Sequence, residues 1–132
     1  MIGADSNLLL RLFVDDDAEQ HRRAVEFFAD RPADDPVYVN VLVLAELVWL
    51  LSRRYRYPNA TIIDTLEALL TNAGFMMERA DLIMSAIQQA RTLHTGFADT
   101  LIQLLNLDAG CRFTVTFDKQ VGDRLPGMEL LK

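Results

Sequence analysis

Four acidic residues stand where a carboxylate needs explaining. Asp5 follows the short apolar run Ile2 to Ala4, and Asp118 follows the strand-like run Phe113 to Phe117. Asp99 lies among Phe97, Ala98, Leu101 and Ile102, and Glu46 is the one charge between Val41 and Leu51. Each aspartate has a plain alternative role as a helix N-cap, its side-chain oxygen taking a free N–H of the first turn. Glu46 is harder to dismiss. A lone buried carboxylate costs several kcal/mol, so in a buried helix it must be protonated, paired or metal-bound. Its alternative is a side chain that reaches back to water or to a hydrogen-bond donor. Four acids gathered at one place repel one another unless a cation neutralises them. Hard oxygen ligands select Mg²⁺ or Mn²⁺. Such a site binds a phosphate oxygen, lowers the pKa of a bound water and stabilises in-line attack at phosphorus.

The elements that must position these acids follow from periodicity and punctuation. Ile2 to Ala4, Val37 to Val39, Phe75 to Met77, Phe113 to Phe117 and Met128 to Leu131 read as strands, with Met76 and Met77 as core positions. Helices are expected over Ser6 to Phe13 and Ala18 to Ala29. Asn40 caps a long helix reaching about Arg54, and the next runs from Asn59 or Thr61 to near Asn72. Further helices are expected over Asp81 to Leu93 and Phe97 to Ala109, with a short one in Asp118 to Arg124. Alternation of this kind argues for a small, mostly parallel sheet covered by helices. In open α/β sheets, ligand sites lie beyond the carboxyl ends of the strands. Chain order alone puts Asp5 and Asp118 there, and Asp99 can reach the same edge.

Composition narrows the class. The chain has 132 residues, 51% of them apolar, which suits one domain over 1–132 with a real core and excludes global disorder. A net charge of −6 argues against a simple basic protein that coats nucleic acid, though metal cations on an acidic site can still face phosphates. Cys111 is the only cysteine, which fits a reducing compartment. The N-terminus lacks the features of an export signal, and the most apolar run, Val37 to Leu51, is too short and too polar to span a bilayer. The expectation is a complete small cytoplasmic protein with no membrane partner.

Taken in order, these motifs resemble a known family. Met1-Ile2-Gly3-Ala4-Asp5-Ser6-Asn7-Leu8-Leu9 looks like the opening of a PIN-domain protein, and so does the Glu46 helix. Gly96-Phe97-Ala98-Asp99-Thr100-Leu101-Ile102 is similar to the family's third acidic motif. Thr116-Phe117-Asp118, followed by Leu125-Pro126-Gly127, looks like its C-terminal end. The spacing and length resemble the VapC-type toxins of toxin–antitoxin pairs. The resemblance implies a three-layer α/β/α PIN-like fold and an Mg²⁺-dependent endoribonuclease, with Mn²⁺ as a substitute, that hydrolyses RNA by metal-activated water. It implies a homodimer and a cognate antitoxin, a segment of which lies in the active-site groove. Carried over, Asp5, Glu46, Asp99 and Asp118 are the catalytic and metal-binding acids, with Ser6, Asn7 and Thr116 as supporting polar residues. One departure concerns Gly96, where many relatives carry an acid, so the site holds either one metal or two.

Other features have plainer readings. Asp15-Asp16-Asp17 reads as a solvated start to a helix, and His21 and His94 lack metal-ligand spacing. Arg53, Arg54 and Arg56, interleaved with Tyr55 and Tyr57, suit RNA phosphates and bases, or equally a helix C-terminus that favours cations. Trp49, Tyr55 and Tyr57 are of types enriched in interfaces, and Trp49 reads equally well as core. Two other functions stay open. One is a non-catalytic PIN-like binding module, which Gly96 favours. The other is a phosphatase with an aspartyl nucleophile, which usually wants a second Asp where Asn7 stands.

Overall fold

The computed structural model describes all of residues 1–132, which form two compact units, Met1–Ala80 and Asp81–Lys132. In the first unit the order is β1 (Ile2–Gly3), α1 (Ser6–Phe13), α2 (Ala18–Ala29), β2 (Val37–Val39), α3 (Val41–Trp49), α4 (Asn59–Thr71) and β3 (Phe75–Met77). A wider turn of π-helix, Leu50–Arg54, prolongs α3. The second unit holds α5 (Ala80–Leu93) from its second residue on, α6 (Phe97–Asp108), β4 (Thr114–Thr116), α7 (Lys119–Arg124) and β5 (Met128–Leu130). This is the α/β order, with parallel strands among helices, that the alternation of patterns predicts. No helix is long and apolar enough to cross a membrane.

Strands β1, β2 and β3 form a parallel sheet in that order, with Ile2 opposite Val37 and Val37 opposite Phe75. Val37 and Val39 are wholly buried, as expected of a parallel strand covered on its faces. Leu9 and Leu10 of α1, with Leu44 and Leu47 of α3, join the same buried set. Met77 is buried, but Met76 is half-exposed, so only one of the two expected core methionines is core. The cause is the strand's period of two, which sends neighbouring side chains to opposite faces. In the second unit β4 and β5 pair in parallel, Thr114 against Met128 and Thr116 against Leu130. A small core of Val121, Leu125 and Met128 packs beneath them with Leu93.

Local chemistry sets the helix starts. Asn40 Oδ1 accepts from the Val43 N–H at 2.8 Å, and Asp17 Oδ1 accepts from Gln20 N–H at 3.0 Å. Pro58 precedes α4 in extended geometry, which excludes the helix from running through it. The Asp15 to Asp17 run therefore contains a cap, and its middle member pairs with the Arg11 guanidinium.

Candidate functional site

The end of β1 passes directly into α1, which makes residue 5 an N-cap. Asp5 Oδ1 accepts from the Leu8 N–H at 2.9 Å. Ser6, in the first turn, is buried and donates its hydroxyl to Glu46 Oε2 at 2.8 Å. This charge-assisted bond spans 40 residues and ties the start of α1 to the middle of α3. Glu46 itself is exposed, which corrects the expectation of a buried carboxylate. The apolar run around it is buried on one face only, through Leu44, Leu47 and Val48, while Leu42 and Trp49 stand out to solvent. Trp49 is therefore not core.

Asn7 points elsewhere. It lines a groove of about 300 Å³ between α1 and α2, with Leu8, Arg11, Arg23 and Phe27. Arg53, Arg54 and Arg56 are all exposed at the end of the π turn, where free carbonyl groups favour cations. The Arg54 guanidinium lies 5.5 Å from the Tyr55 ring centre, and Tyr55 donates its hydroxyl to Asp16 at 2.6 Å.

In the second unit Asp118 caps α7. Its Oδ1 accepts from the N–H groups of Gln120 at 2.9 Å and Val121 at 3.2 Å. Thr116 Oγ1 accepts from the Asp118 N–H at 3.0 Å, so the hydroxyl before the acid shapes the turn that presents it. Asp99 is not a cap, because Gly96 occupies that position in α6 and Asp99 follows three residues later. Asp99 and Asp118 instead line one cavity of about 120 Å³, together with His94, Gly96, Gln120 and Arg124. Burial first, and the Asp118 charge second, hold the Asp99 carboxyl above its usual range.

Sequence reasoning missed three participants. His94 and Arg124 belong to the Asp99–Asp118 cavity, and Glu78 Oε1 accepts from the Val41 N–H at 2.8 Å, adding a second cap to α3. Arg124 sits in the last turn of α7, a weak signal by itself. Glu78 acts across 37 residues, a separation that periodicity does not register.

The capping role and a ligand role do not exclude each other here. Both aspartate caps are made through Oδ1, and the cap bonds fix the carboxylate while directing Oδ2 elsewhere. Carboxylate oxygens suit a hard divalent cation such as Mg²⁺ or Mn²⁺, although His94 and Arg124 share the Asp99–Asp118 cavity. A cation would also relieve the like-charge pressure of Asp118 on Asp99. Within neither unit do three or more acids, histidines or cysteines gather into a ready-made cage.

The protein is thus of the α/β class in which carboxylates follow parallel strands and cap the helices after them. Residues 3–124 match the PIN domain, and the chain belongs to that family. Among solved structures it is similar to Mycobacterium tuberculosis VapC20, a sarcin-ricin loop cleaving toxin. The identity is 21%, over 89% of this chain and 88% of that chain, with a TM-score of 0.47. No curated protein sequence matches the chain.

Proposed function

We propose that the chain is a divalent-metal-dependent endoribonuclease, the toxin of a toxin–antitoxin pair, and that residues 1–132 make a single PIN domain. The supporting observation is the family match over 3–124, which contains all four acids of the expected motifs. In this reading Asp5, Glu46, Asp99 and Asp118 are the metal ligands, and the metal is Mg²⁺ or Mn²⁺. A bound cation would supply positive charge to a phosphate oxygen and acidify the attacking water. The chain's own residues do the rest. The Ser6 hydroxyl holds one Glu46 oxygen in place. The Thr116 hydroxyl and the α7 N–H groups hold Asp118. Asp99, with its raised proton affinity, is the ligand most in need of the cation.

The partners in this reading are an RNA substrate, a cognate antitoxin and a second copy of the chain, and the setting is cytoplasmic. The test is cleavage of single-stranded RNA in Mg²⁺ or Mn²⁺ and in chelator. Glu46→Gln should keep the fold, shown by an unchanged melt, and lose cleavage by several orders of magnitude, within what metal-assisted water activation supplies. Cleavage by Glu46→Gln at the wild-type rate refutes the role of Glu46. RNA binding with no cleavage under any metal points instead to a non-catalytic binding module.

A further inference from the structure

The Asp99–Asp118 cavity contains a cation of the chain's own that pairs with neither acid. Arg124 lines it from the last turn of α7 and takes part in no ion pair. Burial and the Asp118 charge raise the proton affinity of Asp99, and the guanidinium does not relieve it. The backbone that carries these groups is well fixed. Val121 and Leu125 are buried in the small core and hold α7 on either side of Arg124. On the α6 side the buried Thr95 and Thr100 hydroxyls lie 2.8 Å apart, and Thr100 donates to the Gly96 carbonyl at 2.9 Å. Gly96 has no side chain, and a Cβ there would stand 3.2 Å from Asp99 Oδ2, so that oxygen is left uncovered from this side.

A basic residue in the last turn of a helix has a plain role, which is to balance the free carbonyl groups there. Any cation serves that role, and it gives no reason for the cation to stand beside two carboxylates without pairing with either. A ligand with two anionic oxygens does give a reason. A phosphodiester has two non-bridging oxygens. One can face a divalent cation held by carboxylates, and the other can take the forked N–H groups of a guanidinium. We propose that Arg124 is a phosphate-binding residue of this cavity, its guanidinium donating to one non-bridging oxygen of a substrate phosphate that approaches the Asp99–Asp118 pair. The proposal rests on the nuclease reading for its ligand, a phosphate of RNA. Arg124 moves no proton, because a guanidinium in a protein stays charged. Its part is to hold the phosphate in place.

The experiment counts phosphate contacts. The full chain is titrated into a labelled single-stranded RNA oligonucleotide, in a low fixed concentration of Ca²⁺ and at several concentrations of monovalent salt. Anisotropy is followed for wild type, Arg124→Gln and Arg124→Lys, and all three are melted. One phosphate contact on a single strand contributes about 0.7 to the slope of log affinity against log salt. Arg124→Gln should bind roughly tenfold more weakly, as expected for one lost charge-assisted hydrogen bond, and lower that slope by about 0.7. Arg124→Lys should keep the slope and lose part of the affinity, since it keeps the charge and gives up the fork. Melting should be nearly the same for all three. Equal affinity and slope for Arg124→Gln and wild type overturn the proposal, as does the absence of RNA binding by wild type. A lower Tm for Arg124→Gln that Arg124→Lys repairs, with the slope unmoved, assigns the charge to the helix end and overturns it too. A wild type that binds RNA through Arg124 but never cleaves it in Mg²⁺ or Mn²⁺ refutes the nuclease reading alone, whereas cleavage that Arg124→Gln leaves unaffected refutes this proposal alone.

Discussion

The Ser6–Glu46 bond makes the sharpest stability prediction. Ser6 is 7% exposed and donates to Glu46 Oε2 at 2.8 Å. Hydrogen bonds to charged groups contribute about 1.5–3 kcal/mol, and ordinary ones about 0.5–1.5. Glu46 is exposed, so water replaces the lost donor when Ser6 becomes alanine. The Ser6→Ala cost therefore belongs near the lower range, about 1 kcal/mol, which for a domain of this size is roughly 4 °C in Tm. The reverse deletion is different. Glu46→Ala leaves a buried hydroxyl without its acceptor, and an orphaned buried group costs about 1–3 kcal/mol. In the Glu46→Ala background, Ser6→Ala should then be neutral or stabilising. Thermal melting of wild type, both single variants and the double variant gives the coupling energy directly, expected at about 0.5–1 kcal/mol or more. Activity gives a second readout. A carboxylate freed from its tether should lower kcat up to about fivefold with little change in KM. If Ser6→Ala costs the same in both backgrounds, the tether does not exist as described, and the positioning role of Ser6 falls with it.

Two further perturbations probe the second unit. The Asp99 carboxyl is held above its ordinary value of 3.8, by burial first and by the Asp118 charge second. A raised carboxylate pKa means that the folded state disfavours the ionised form, a penalty present at neutral pH and lost as pH falls through that range toward 3.8. Asp99→Asn should therefore melt higher than wild type at neutral pH in chelator, with the gap closing on acidification. A gap independent of pH refutes the electrostatic account. Gly127 has φ +89°, and a Cβ there would sit 1.8 Å from the amide nitrogen of the buried Gln103. Gly127→Ala should cost about 1–3 kcal/mol from the backbone alone, plus the clash. Adding Gln103→Ala should restore part of that loss, and a Gly127→Ala protein that melts like wild type contradicts the turn geometry.

The order of elements was legible in part because several helix starts carry their own chemistry. Asn40, Asp5 and Asp118 sit where a side-chain oxygen can meet the first-turn N–H groups, and all three make those bonds. Asp99 is the first-turn acid that the pattern suggests, but the cap alternative fails for it, because Gly96 holds the cap position. Its distinguishing mark, a shared cavity with Asp118, comes from pairing across 19 positions that no local pattern encodes. Glu46 was singled out for a wrong reason. A run of apolar residues records what a helix tends to bury and not what lies over it, and α3 leaves Leu42 and Trp49 uncovered. The carboxylate thus needs no compensation for burial. What singles it out is the Ser6 hydroxyl, a buried donor committed to an exposed acid 40 residues away. The bond gives the buried Ser6 hydroxyl its acceptor and engages only one Glu46 oxygen, Oε2, so the tether is compatible with the ligand role proposed for the carboxylate.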